Sequence, residues 1–154
     1  MKLTVIIVAT LLLACTAAGV AVAQKVSGEP VLNDLDSLTL RADDLSNRVE
    51  SQLVDLNIAS GSGNNTSATG TANPDAIRSI AARGVSNADT YEAQLSEIEK
   101  GLWAIQSRYN QEQYGHGDAT AIESRMSYLE NRIGHIRNMI NDMRISADRI
   151  SRTA

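Results

Sequence analysis

Apolar residues return every three or four positions along three stretches of this chain. In the first they are Leu35, Leu38, Ala42, Leu45, Val49 and Leu56, with Gln52 completing the row. In the second they are Ile77, Ala81, Gly84, Ala88, Tyr91, Leu95, Ile98, Leu102, Ile105 and Tyr109. The third holds Ile122, Met126, Leu129, Ile133, Ile136, Ile140, Met143, Ala147 and Ile150. A mean step of about 3.5 residues keeps one stripe turned toward a partner helix, which is a heptad seam. The pattern predicts an all-α fold, an elongated coiled coil. Residues 74–154 read as an antiparallel helical hairpin, with helices at 74–113 and 119–152. An additional N-terminal helix at 31–59 is joined to it by a flexible linker at 60–73. The three helices would measure about 40, 55 and 50 Å. No segment alternates at period two, so strands have no support.

Local residues set the expected ends. Asn33 suits an N-cap, with Asp34 and Asp36 in the first turn where carboxylates meet the positive end of the helix dipole. Residues 60–73 are Gly, Ser, Asn, Thr and Ala, which bury little. Asn73-Pro74-Asp75 opens the second helix with proline at its first position. Gly84 costs about 1 kcal/mol against alanine in a helix and predicts a bend or fraying between Arg83 and Ser86. Tyr114-Gly115-His116-Gly117-Asp118 makes a turn, and a connection that short favours antiparallel neighbours. Thr120 with Glu123 reads as a capping box for the third helix. Isoleucine at both kinds of seam position there favours three or more strands per bundle. Whether those strands come from one chain or several is open at this level.

The amino terminus is of another kind. Met1-Lys2 precedes an apolar run from Leu3 to Val22, and Ala21-Val22-Ala23 fits a signal-peptidase site. Residues 1–23 therefore read as a signal peptide, and the protein as secreted. A membrane anchor is the competing reading, since about 20 apolar residues span a bilayer. Leu12-Leu13-Ala14-Cys15 also resembles a bacterial lipoprotein box, which would make Cys15 a lipidation site. With cleavage before Gln24 the mature chain has no cysteine, hence no disulfide, thiolate nucleophile or cysteine metal site.

Composition narrows the function classes. The chain has 154 residues, a net charge of −4, one Cys, two His and no Phe. Aromatic residues are only 3%, too few for an ordinary globular core but adequate for seams of Leu, Ile, Met and Ala. Residues 24–75 carry 3 basic and 8 acidic side chains, whereas residues 115–154 carry 6 and 5, so the first helix can attract the last. No basic stripe exists, which argues against nucleic acid. His116 and His135 lack a second His or Cys at ligand spacing, so no metal or other cofactor is expected. Asp43 and Asp44 are adjacent and point about 100° apart, which does not make a shared acid–base site. No catalytic residue is expected, and the chain reads as a non-enzyme. Asn64-Asn65-Thr66-Ser67 holds two overlapping N-x-Ser/Thr acceptors, so Asn64 or Asn65 is a candidate glycosylation site. Trp103 follows the seam residue Leu102 and should be partly exposed, flanking the bundle core; the alternative is that it anchors a protein contact.

The segment Ile136-Arg137-Asn138-Met139-Ile140-Asn141-Asp142-Met143-Arg144-Ile145-Ser146-Ala147-Asp148-Arg149-Ile150 resembles the end of the coiled-coil region of laminin alpha chains. Ile136, Ile140, Arg144, Ala147 and Ile150 carry the likeness, and Met143 stands where that pattern has alanine. The resemblance implies an extracellular helical assembly segment. The opening Met1-Lys2-Leu3-Thr4 similarly resembles the signals of one cone-snail toxin superfamily. Those toxins are disulfide frameworks, so that likeness implies secretion alone. The expected function is assembly, with the seam residues as the contact surface. The partner is a second copy or another coiled-coil chain. No membrane partner is expected once the signal is removed. The alternative is a bacterial envelope lipoprotein whose helices form a periplasmic spacer.

Overall fold

Three long helices account for nearly all of the residues described by the computed structural model, 25–59 and 74–153. They are α1 (Glu29–Ala59), α2 (Pro74–Gln111) and α3 (His116–Thr153). The proposed signal, Cys15, the linker, Asn64 and Asn65 lie outside the described residues. Among the described residues no helix is long and apolar enough to cross a membrane.

Two helices begin earlier than local capping chemistry suggested. Helix α1 starts at Glu29, not 31, and Asn33 is inside it. Its start is made by Ser27, whose hydroxyl accepts from the Glu29 amide at 3.3 Å, and by the Leu32 amide donating to the Gly28 carbonyl at 3.0 Å. Pro30 fits there because first-turn amides have no intrahelical acceptor. Helix α3 starts at His116, not 119, with the Ala119 amide donating to the Gly115 carbonyl at 2.8 Å. The Thr120–Glu123 capping box does not form. The Thr120 hydroxyl donates to the His116 carbonyl within the helix, and Glu123 accepts from the Tyr109 hydroxyl at 2.6 Å. At its other end α3 runs to Thr153, one residue past 152. Helix α2 starts at Pro74 and ends at Gln111, two residues before 113.

The fraying expected as one outcome at Gly84 is absent, and α2 is continuous helix through it. A Cβ there would lie 2.9 Å from Leu56 Cδ2 and 3.3 Å from Ala147 Cβ. Gly84 thus lies against side chains of both other helices, and packing outweighs its poor helix propensity.

Side-chain pairs give the direction of each helix. Between α1 and α2, Asp34 meets Arg108, Arg48 meets Gln94 and Gln52 meets Asn87, so one helix ascends as the other descends. Between α2 and α3 the pairs Tyr109–Glu123, Gln106–Glu130, Glu99–Arg137 and Glu92–Arg144 run the same way. Between α1 and α3, Asp36 meets Arg125, Asp43 meets Arg132 and Asn57 meets Ser146. Each of those pairs is 89 residues apart, so these two helices run parallel.

The core is continuous through all three helices. Leu35, Ala42, Val49, Ala88, Ile122, Leu129, Ile136 and Met143 are fully buried in it. At the turn end, Val26 forms a single parallel bridge with Tyr114, its amide donating to the Gln113 carbonyl at 3.0 Å.

Candidate functional site

The expected contact surface was the seam. Leu35, Leu38, Leu45, Val49 and Leu56 of α1 are buried. So are Leu95, Ile98, Leu102 and Ile105 of α2, and Ile122, Leu129, Ile133, Ile136, Ile140, Met143 and Ile150 of α3. Met126 is half-buried against the same core. One chain therefore covers its own seams, and in this arrangement they offer no surface to a second molecule. The seam list missed Val31, which lies one turn before Leu35, and Met139, beside Ile140; both are buried.

Around the core runs a ladder of charge that residue-by-residue reading did not isolate. Helix α3 supplies it from two rows. Arg125 and Arg132 face α1, where they hold Asp36 and Asp43. Arg137 and Arg144 face α2, where they hold Glu99 and the Asp89–Glu92 pair. Members of each row are seven residues apart, the heptad interval of flanking charges. Glu92 first, and then Asp89, hold the Arg144 guanidinium above its already high ordinary pKa by accepting its hydrogen bonds. The Arg132–Asp43 pair is the least exposed, at 29% and 37% of the side-chain surface, with a 2.9 Å contact. Pairs this wet contribute about 0.2–1 kcal/mol each, so they choose partner and register more than they add stability. Residues 136–150 lie within this framework: Ile136, Ile140, Ala147 and Ile150 are core, and Arg144 is a rung.

Helix α1 meets α2 through shape. Gly101 receives Leu38, whose Cδ2 would be 2.9 Å from an added Cβ, as Gly84 receives Leu56. Beside Gly101 a groove of about 310 Å³ is lined by Asp34, Ser37, Leu38, Ala104, Ile105 and Arg108. Arg108 grips Asp34 at 2.7 Å, while its Nε is buried there without a hydrogen-bond partner. The larger groove between α2 and α3, about 600 Å³, is lined by the Glu92, Glu99, Arg137 and Arg144 rungs themselves.

The turn end carries the strongest electrostatic perturbation. Tyr109 and Tyr114 stack at 5.5 Å between ring centroids, 10° from parallel. Burial first, then the hydrogen bond to Glu112, pushes the Tyr114 phenol up to about 12. The hydrogen bond to Glu123, with burial, raises Tyr109 as well. Asp118 accepts from the Gly28 amide at 3.0 Å, tying the start of α1 to the first turn of α3.

Facing outward are Leu40, Trp103 and Ile58, 71%, 69% and 63% exposed, with Val54, Tyr128 and Ile145 about half exposed. Trp103 is thus exposed, as expected of a residue beside the seam, and by more than half of its surface. His116 and His135 are exposed on α3. No group of three or more His, Cys, Asp or Glu that could hold a metal ion occurs among the described residues. Comparison of the chain with protein-family models, with characterised proteins and with solved structures finds no match.

Proposed function

We propose that this chain is a secreted, non-enzymatic helical protein that acts by assembly with another protein chain, as an extracellular structural component. The observation that carries the reading is a continuous apolar seam with arginines at seven-residue intervals beside it, a surface the chain here closes on itself and one that a helix of a second chain with the same pattern would meet in the same way. Sequence invested in that way serves helix–helix recognition. Its three helices form a short coiled coil in which α2 and α3 are the antiparallel hairpin and α1 the added strand. The export-like run at 1–23, the acceptors Asn64 and Asn65, and the likeness to laminin alpha coiled coils all support an extracellular setting. Light scattering of the purified chain over a wide concentration range tests the assembly. A mass above one chain that rises with concentration is expected, and a constant single-chain mass refutes it.

The Leu12-Leu13-Ala14-Cys15 sequence supports a second reading, an envelope lipoprotein anchored through Cys15. Intact mass of the exported form separates the two. An amino terminus at Gln24 supports free secretion, and a diacylated Cys15 supports the anchor.

A further inference from the structure

We propose that α1 is an exchangeable helix. The groove built by α2 and α3 accepts α1 of a second copy of this chain, and two copies assemble by trading it. This rests on the reading of the protein as one that acts by assembly, and it names the partner and the surface.

The connections differ in a way that singles out α1. Only residues 112–115 separate α2 from α3, which touch from Tyr109–Glu123 to Asp89–Arg144. Between Ala59 and Pro74 lie fourteen residues, all Gly, Ser, Asn, Thr or Ala. Extended, that many residues span up to about 50 Å, about the full length of α1 at roughly 1.5 Å per residue. The tether therefore does not dictate whose groove α1 enters.

The groove recognises α1 by shape and by charge. Gly101 and Gly84 are sockets for Leu38 and Leu56. Arg108, Arg125 and Arg132 select Asp34, Asp36 and Asp43. A second copy's α1 satisfies every one of these contacts, because it is the same helix. Intramolecular closure dominates in dilute solution, since a short tether holds α1 at an effective concentration on the order of millimolar. Crowding to that level, or a shorter tether, shifts the balance to exchange.

Geometry supplies a decisive tether. The α1–α2 pairs set Ala59 opposite about residue 81. Pro74 thus stands roughly 10 Å further along the bundle, on an axis about 8–10 Å away. Two residues span at most about 11 Å from Ala59 to Pro74. Deleting residues 61–72 therefore prevents closure within one chain and leaves exchange as the way to fill the groove.

The test uses two full-length variants, D36R/D43R and R125D/R132D, carrying tags of different mass. Each alone sets like charges across its own α1–α3 contact. Together, exchange sets opposite charges across both. Refolded jointly from urea at about 1 mM, they are expected to give a mixed dimer in native mass spectrometry, in roughly tenfold excess over either self-dimer. Mixed species at random proportion, or none, overturn the exchange. The deletion variant is the independent arm. A helical dimer is expected from it, and a folded monomer overturns the proposal even if the charge variants misfold. Should the natural chain self-associate while the mixture stays random, assembly stands on another surface and the exchange alone falls. A natural chain that stays monomeric, with no mixed dimer, removes both.

Discussion

Helix α1 packs into one core on both its sides, and the two sides differ in how closely the backbones approach. Against α2, two leucines seat where α2 has glycine, with the Asp34–Arg108 pair at the margin. Against α3 it is held at its margin by charge, with Asp36 and Asp43 in the grip of Arg125 and Arg132. Close packing in a dry core is sensitive to single methyl groups, whereas half-exposed ion pairs are discounted by water and salt. The packed core on both sides of α1 should therefore decide how stable the bundle is. The charges at its margins should decide which helix pairs with which, and in which register.

The largest effect is expected in the common core of the three helices. Ile136→Asp buries a carboxylate with no partner at a fully buried position and should cost at least about 3–5 kcal/mol, unfolding the chain. Loss of helical circular dichroism at 25 °C is the readout, and a variant that stays helical contradicts the closed core. At the sockets, Gly84→Ala should be worse than Gly101→Ala. A new methyl at Gly84 meets Leu56 and also the immobile Ala147 Cβ at 3.3 Å, while at Gly101 its three nearest neighbours all belong to the end of Leu38. We expect about 1–3 kcal/mol lost at Gly84 by urea unfolding. At Gly101 the gain in helix propensity, about 1 kcal/mol, should nearly cancel the crowding. Equal effects at the two positions would remove the three-helix contact at Gly84 from the account.

The charged margin should respond more weakly. A double-mutant cycle on Arg132→Ala and Asp43→Ala is expected to return a coupling below about 1 kcal/mol that fades in molar salt. A larger, salt-resistant coupling would make charge an equal partner to shape.

The pH effect concerns the turn end. Tyr114 is held above its ordinary value, at about 12, so the folded bundle favours the neutral phenol. That stabilisation is complete below the unfolded pKa of about 10 and is lost as pH rises through about 12. The melting temperature should fall between those values, and Tyr114→Phe should flatten much of the fall, with Tyr109 retaining the remainder. An unchanged slope would mean the phenol is not buried.

Much of the architecture is legible without the structure, because burial in helices leaves a periodic trace. The rows from Leu35 to Leu56 and from Ile122 to Ile150 name core residues directly. Helix starts were less legible. Asn33 and Thr120 have good capping chemistry, yet the chain begins its helices at Glu29 and His116. Ser27 and Gly28 make the first start, and the Gly28 amide finds its acceptor on Asp118, ninety residues away. No local rule contains that distance. The helical continuity at Gly84 was hidden for the same reason. The glycine's propensity is written in the residue, but the leucine that occupies its missing side chain is on another helix. The arginine rows could have been read from their seven-residue spacing, although the acids they hold could not.

Sequence alone determined the helical class, because apolar side chains at a mean spacing of about 3.5 leave water only along one face of a helix. It also determined the sign of each helix, acidic first and basic last. The tertiary structure decided that the seams close within one chain, that α1 and α3 run parallel, and that two glycines are sockets. The reason is that a seam specifies the chemistry of its partner but not the partner's identity or direction. Those depend on which leucine meets which glycine and which arginine meets which aspartate, pairings between residues dozens of positions apart.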